Sequence, residues 1–346
     1  MMTLKHFWRR ALLSAVAAAG LAGVIGASAF AADYTLKIQT HQGPETLAGK
    51  IFEQFVADVE ANSGGRIDIM PYTSSSLVAA NETFDAASTG ILDGDMTTAQ
   101  YLAGKDRAFQ FFSDLMGGYS EPSQMYAWLE EPGNRELADE LYGRFGMHLV
   151  GFWGQGVESL CATLPLTGVG DLQGWKVRMP PGMGSEVFER LGARPVVMAM
   201  SEIFTALSTG VVDGADFSSL HANKAIGLYD VCKYTTYPGF HSNPMDHLAI
   251  NGLVWGSLPD DLKTVIEDAL GKAATDIEEQ GKKLNVDVEP ELKAAGVTMN
   301  EWSEAELHKY RAVSQTVWQE WAESSDLARR AVDSHVEYMK RIGVLQ

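Results

Sequence analysis

The chain has 346 residues, 46% of them hydrophobic, a size that suits two domains because single cores stop growing at roughly 250 to 300 residues. Its 45 acidic against 27 basic residues argue against nucleic acid and anionic lipid as partners. Its two cysteines, Cys161 and Cys232, are too few for a disulfide scaffold and lack zinc-site spacing; a disulfide between them and two buried thiols both remain open.

The first segment reads as a secretory signal. Lys5, Arg9 and Arg10 form a basic start, Ala11 to Gly26 an Ala/Leu/Gly/Val-rich run, and Ala29-Phe30-Ala31 a small-x-small cleavage site. Cleavage there leaves 24 basic against 45 acidic residues, a formal charge of −21. A small anionic ligand stays compatible with that charge, because surface charge is screened over ~8 Å at physiological salt and a buried site is governed by its own lining.

"YTLKIQT" (34–40) alternates as a strand does. In "ETLAGKIFEQFVADVEANSGG" (45–65), Leu47, Ile51, Phe55 and Val59 recur at four-residue spacing on one helical face, and Ser-Gly-Gly ends the run. Further on, "NETFDAASTGILDGDM" (81–96) and "SEIFTALSTGVVDGAD" (201–216) match at eight of sixteen positions, 120 residues apart. Each copy predicts a short helix closed by glycine, then a strand beginning at the Ile-Leu or Val-Val pair. Upstream, "GRIDIMP" (65–71) and "GWKVRMP" (174–180) also correspond.

Two α/β halves of this kind imply two similar lobes with a ligand cleft between them, facing the carboxyl ends of the strands. In the second half the strand carries an arginine, Arg178, among apolar residues. A buried guanidinium needs an anion, from a ligand or from an acidic neighbour. The segments 260–295 and 303–342 are charged and helical. No Gly-x-Ser-x-Gly, His-Glu-x-x-His or Ser-x-x-Lys constellation suggests catalysis. "GMGSEV" (182–187) lacks the third glycine of a dinucleotide turn, and Ser185 reads as a helix N-cap.

At "GWKVRMPPGMGSEVFERLGARPV", "SEIFTALSTGVVDGADF" and "YDVCKYTTYPGFHSNPMDHLAIN" the chain resembles the periplasmic solute-binding subunits of TRAP (tripartite ATP-independent periplasmic) transporters, the DctP-type family, from about Tyr34 to the C-terminus. It is most similar to the branch that binds 2-oxo and related organic acids. The resemblance implies an α/β, type II-like, two-lobed periplasmic binding protein with a central cleft. It also implies a small carboxylate as ligand, a membrane permease as partner, and no catalysis. An exported enzyme acting on a carboxylate and a ligand-sensing protein are the alternatives.

The organisation then expected is a signal peptide at 1–31, a first lobe at 32–155 continued by roughly 245–300, a second lobe at 156–244, and helices at 301–346 packing across both. Arg178 matches the family's carboxylate-clamping arginine. Glu158, with Gln155 nearby, stands where metal-binding members have Gln; Asp216-Phe217 stands where they have an acidic residue and Trp. The implied metal set is Glu158, Asp216 and the Phe217 carbonyl, holding Ca²⁺ or Na⁺ that bridges the ligand. His241 and Asn243 match a loop near the ligand. Trp153, Phe217 and Phe240 could supply aromatic walls, and His41 and Gln42 fall where the first lobe meets the cleft.

Overall fold

The computed structural model describes residues 32–198 and 200–345, so the expected signal segment 1–31 lies outside the described residues. In chain order the strands are β1 (Tyr34–Thr40), β2 (Ile67–Tyr72), β3 (Gly94–Met96), β4 (Met147–Trp153), β5 (Cys161–Ala162), β6 (Lys176–Met179), β7 (Arg194–Val197), β8 (Gly214–Ala215), β9 (Tyr234–Thr236), β10 (Asp246–Asn251) and β11 (Thr298–Asn300). They form two sheets, ordered β2-β1-β3-β10-β4 and β11-β9-β5-β8-β6-β7.

Each sheet is built on a β-α-β-α-β unit. In the first, β1 leads through the helix Leu47–Asn62 to β2 and through Thr83–Ser88 to β3; β1 pairs in parallel with both. In the second, β6, the helix Met183–Arg190, β7, the helix Ile203–Ser208 and β8 repeat the plan, with β6 central. An antiparallel strand then lies beside the third strand of each unit: β10 beside β3, and β5 beside β8.

The sixteen-residue repeat has a physical cause. Gly90 and Gly210 take left-handed backbone, φ 83° and 70°, closing helices whose ends are bonded alike: Ile91 N–H donates to Ala86 O, and Val211 N–H to Ala206 O. Asp93 then donates its N–H to Lys37 O and accepts the Lys37 N–H on its carboxylate; Asp213 does the same with Lys176. The Asp-Gly that follows locks the third strand onto the first. A Cβ at Gly214 would stand 2.2 Å from the Trp175 ring, so that strand needs glycine to approach.

Three expectations need correcting. The strands begin at Gly94 and Gly214, not at the Ile-Leu and Val-Val pairs, because those pairs are spent on the helix-closing turn. The counterpart of β6 is β1, not β2: β1 and β6 both occupy the central place and receive the Asp-Gly strand, whereas β2 and β7 are edges. Ser185 lies inside its helix; Gly182 is the N-cap, and the Met183 N–H is taken by Gln110 Oε1 at 3.1 Å.

The chain crosses between the sheets at 154–160 and 237–245, and the helix Asp260–Ala294 makes a third crossing. That helix packs on β4 and on Leu47–Asn62, then reaches the helix Leu220–Ala225. β11, at its far end, pairs in parallel with β9, so it belongs to the second sheet although it falls in the 245–300 segment assigned to the first lobe. The charged, helical segment 303–342 forms two helices, Glu304–Ala322 and Asp326–Arg341. The former packs on Met183–Arg190, with Trp321 Nε1 donating to Glu186 at 2.6 Å; the latter packs on Asn134–Gly143, with Arg330 bonded to Glu140 at 2.7 Å.

The first sheet packs one face on Leu47–Asn62 and Asp260–Ala294 through Ile38, Phe52, Phe55, Val59 and Ile266. Its other face joins a core that continues through Leu160, Val177 and Phe188 of the second lobe to Trp318 and Met339 of the C-terminal helices. Cys161 and Cys232 are both buried free thiols in a third cluster with Ile203 and Leu220. Among the described residues no helix is long and apolar enough to cross a membrane.

Candidate functional site

Arg178 sits near the carboxyl end of β6 and is buried. The parallel register places it beside Ala215 of β8, so the next residue, Asp216, donates its N–H to Arg178 O at 3.0 Å. In return Arg178 Nη1 donates to Asp216 O at 2.6 Å, and Nε donates to Met198 O at 3.2 Å. Two backbone carbonyls therefore fix the guanidinium, and among the described residues no carboxylate forms an ion pair with it. Burial depresses its pKa, a cost only partly offset by the nearby Asp216 charge. The charge is held in place but not neutralised.

The two crossing segments meet behind it. Glu158 N–H donates to Ser242 O at 2.9 Å, joining the strand-to-strand links. Glu158, Asp216 and His241 are all buried, and one ligating atom of each lies within 4.8 Å of the others. His241 Nε2 stands 2.9 Å from Asp216 Oδ1 and 4.0 Å from Glu158 Oε2. Burial pushes Glu158 well above the usual carboxylate range, and the Asp216 charge beside it, which also accepts a hydrogen bond from it, pushes further. Burial works on Asp216 in the same direction, but the charge and hydrogen bond of His241, with the Glu158 hydrogen bond and the Arg178 charge, together outweigh it and hold Asp216 below its ordinary value. Burial and mutual charge therefore favour the protonated form at Glu158 and the ionised form at Asp216. Asp114, which accepts from Ser242 Oγ at 2.8 Å and Asn243 N–H at 3.1 Å, is raised by burial to about 6.

A cavity of about 600 Å³ opens between the two sheets, at the carboxyl ends of β1 and β6. Arg178, Glu158, Gln155, Trp153 and Phe217 line it, as do His41 and Gln42. Asp216, His241 and Asn243 do not: the first two stand behind Arg178 and Glu158, and the buried Asn243 side-chain amide has no hydrogen-bond partner among the described residues. Phe240 is no cavity wall either, since it packs on Trp302 and Tyr310 at ring separations of 4.3 and 5.2 Å.

Residues that the sequence did not single out complete the first-lobe wall. Asp246, at the start of β10 and opposite Trp153 of β4, lies 3.3 Å from His41 Nε2; Gln42 Nε2 is 2.7 Å from the same ring nitrogen and 3.2 Å from Asp246 Oδ2. Burial lowers the His41 pKa, but the charge and hydrogen bond of Asp246, with the Asp95 charge, together more than reverse that and the net shift is upward. Tyr101, whose ring is 5.8 Å from that of His41, has its phenol raised by burial to about 12. No motif marks these residues, because the loop after β3 and the strand β10 reach the cleft only through the fold.

The family described as bacterial extracellular solute-binding protein, family 7, matches residues 38–325. A monocarboxylate 2-oxoacid-binding periplasmic protein of Nostoc sp. is 25% identical over 314 residues, 88% of this chain and 81% of that protein. Among solved structures, a TRAP periplasmic solute binding protein from Rhodobacter sphaeroides, in an apo open form, is 30% identical with a TM-score of 0.76, covering 90% of this chain and 99% of that one. Another from Pseudoalteromonas atlantica, with bound sodium and pyruvate, superposes with a TM-score of 0.81 at 23% identity, over 89% of this chain and 94% of that one.

Proposed function

This chain belongs to bacterial extracellular solute-binding protein family 7, and from that premise we propose that it captures a small organic acid, a 2-oxo or 2-hydroxy carboxylate, in the periplasm and delivers it unchanged to the permease subunits of a TRAP transporter. The observation that carries this reading is Arg178: a buried guanidinium lining a cavity, anchored by carbonyls and, among the described residues, paired with no carboxylate. A carboxylate docked on its free edge would gain two parallel charge-assisted hydrogen bonds and relieve the cost of burying the charge. The 2-oxoacid-binding Nostoc relative supports the choice of acid.

A cation fits beside that carboxylate. Glu158 and Asp216 supply two oxygen ligands within one small buried cluster, and a hard cation would take the place of the proton that burial and the Asp216 charge favour on Glu158. Ca²⁺ or Na⁺ would be held by these side chains, the Phe217 carbonyl and the ligand's own oxygens, with His241 orienting Asp216. The cation would supply positive charge opposite the ligand's carboxylate and oxo or hydroxyl oxygen.

The test is a thermal-shift screen of the purified protein against organic acids, with and without added Ca²⁺ and Na⁺. A ligand at 100 times its dissociation constant stabilises by ~2.7 kcal/mol, so a matching acid raises the melting temperature and is recovered unaltered. Steady conversion of that acid to another compound, or stabilisation only by solutes without a carboxylate, would overturn the reading.

A further inference from the structure

The first-lobe wall of the cavity carries hydrogen-bonding groups that no group among the described residues satisfies. Trp153 is buried to 1% exposure and lines the cavity, yet its indole Nε1–H has no partner. A buried donor left unmade is costly, and buried indoles ordinarily find an acceptor. His41, which lines the same wall, likewise has an unpartnered buried nitrogen, Nδ1, while its Nε2 is engaged by Asp246 and Gln42. When Nε2 accepts from Gln42, Nδ1 carries a hydrogen; it also does so when the ring is protonated, the state that Asp246 favours. Trp153 Nε1–H thus stands as a donor on the wall built from β1 and β4, in the lobe opposite the guanidinium on β6, and His41 Nδ1 is a second donor in every state except the neutral ring that gives its Nε2 hydrogen to Asp246.

The charges of the lining narrow what those donors can receive. Arg178 is the only lysine or arginine among the described lining residues, whereas Glu45, Glu158 and Asp246 are all acidic. The imidazole of His41 is already matched with Asp246. A second carboxylate on the ligand would face that aspartate without a cation of its own, so one anionic group is provided for and a second is repelled.

We propose that Trp153 Nε1 and His41 Nδ1 form a distal subsite for a neutral hydrogen-bond acceptor, so that the solute is a monocarboxylate bearing a hydroxyl or carbonyl oxygen remote from its carboxylate. This rests on the carboxylate-binding reading of Arg178 and adds the other end of the ligand. It makes the cavity selective against both a plain alkyl chain and a dicarboxylate. The alkyl chain leaves the two donors unsatisfied; the dicarboxylate places a charge against Asp246.

The experiment uses five- and six-carbon 2-oxo acids that end in a methyl, a primary hydroxyl or a carboxylate, titrated calorimetrically into the wild-type protein and into Trp153→Phe and His41→Leu. Trp153→Phe keeps an aromatic ring and deletes the donor together with the indole's second ring, and the methyl-ended acid is the control for the lost packing. In at least one chain length the hydroxyl-ended acid binds about tenfold tighter than the methyl-ended one, as expected for satisfying a buried donor, and tighter than the carboxylate-ended one. Each variant loses affinity for the hydroxyl-ended acid by several-fold more than for the methyl-ended acid. Equal affinities for the methyl and hydroxyl ends, the carboxylate-ended acid binding tightest, or variants that weaken both acids alike would each overturn the subsite. Binding of none of the acids would instead fail the carboxylate reading beneath it, and the subsite with it.

Discussion

Arg178 and Asp216 hold each other through their backbones: the Asp216 N–H donates to the Arg178 carbonyl at 3.0 Å, and the Arg178 guanidinium donates to the Asp216 carbonyl at 2.6 Å. The parallel pairing of β6 with β8 creates this exchange, and it leaves the Asp216 carboxylate free for His241 and Glu158. One strand pair thus positions both the cationic and the anionic parts of the site.

The anionic part predicts a cation dependence. After exhaustive chelation, the binding of a matching 2-oxo acid weakens about tenfold or more, and addition of Ca²⁺ or Na⁺ restores it; Asp216→Asn removes the restoration because one anionic ligand is lost. Calorimetry with and without the cation checks this. Affinity unchanged by chelation would leave Glu158 and Asp216 as hydrogen-bonding residues only.

The β8 strand predicts an asymmetry between the two copies of the repeat. A Cβ at Gly214 would meet the Trp175 ring at 2.2 Å and the Cys161 carbonyl at 2.5 Å, whereas one at Gly94 would press on the flexible Ile38 side chain at 3.1 Å and make ordinary contact with the Ala249 carbonyl at 3.6 Å. Gly214→Ala therefore costs about 2–3 kcal/mol or more, as overpacking against backbone and a rigid ring does, and Gly94→Ala costs less than about 1 kcal/mol. Urea unfolding of the two variants measures the difference, and equal costs would contradict it.

These equivalences also show what the sequence could and could not reveal. The alternation of Tyr34–Thr40 and the four-residue spacing of Ile51, Phe55 and Val59 were legible because one face of each is buried. The paired Ser-Thr-Gly and Asp-Gly were legible because they perform the same bonding twice. The Gly-x-x-x-x-Met-Pro likeness misled, since β2 is an edge strand and β6 a central one, and their similarity is of composition and not of place. In the site, Arg178 stood out because charge is rare in a buried strand. Asp246 and Tyr101 did not, because each becomes part of the cavity only when distant segments converge.

The C-terminal helix predicts a pH dependence of stability. His335 is buried, stacked on Trp128 at 3.6 Å, with Nε2 donating to Phe111 O at 2.7 Å and Nδ1 accepting from Tyr119 at 2.8 Å. Burial lowers its pKa from 6.5 to about 3. The unfolded chain therefore takes up a proton that the folded one refuses: the contribution of His335 is fully present above pH 6.5 and is lost as pH falls toward 3, by about 1.4 kcal/mol per pH unit. His335→Gln, which cannot titrate, reduces the slope of unfolding free energy between pH 6 and pH 4 by that amount. An unchanged slope would show that the histidine is accessible to protons in the folded state.

Cys161 and Cys232 are both buried, and burial pushes the Cys161 thiol well above its ordinary range. Neither reacts with a thiol reagent in the native protein, and both react once it is unfolded, because only the exposed thiolate is nucleophilic. Finding no free thiol after denaturation would mean that the two form a disulfide.

The central claim is that Arg178 clamps a carboxylate. The measurement that tests it most directly is calorimetric titration of a stabilising monocarboxylate into folded Arg178→Ala and Arg178→Lys, alongside the wild-type protein. Removing one partner of a desolvated charge pair costs about 2–5 kcal/mol, so Arg178→Ala weakens binding by tens to thousands of times, and Arg178→Lys, a point charge without the planar fork, recovers only a small part of the loss. Wild-type affinity in a correctly folded Arg178→Ala protein would contradict the claim.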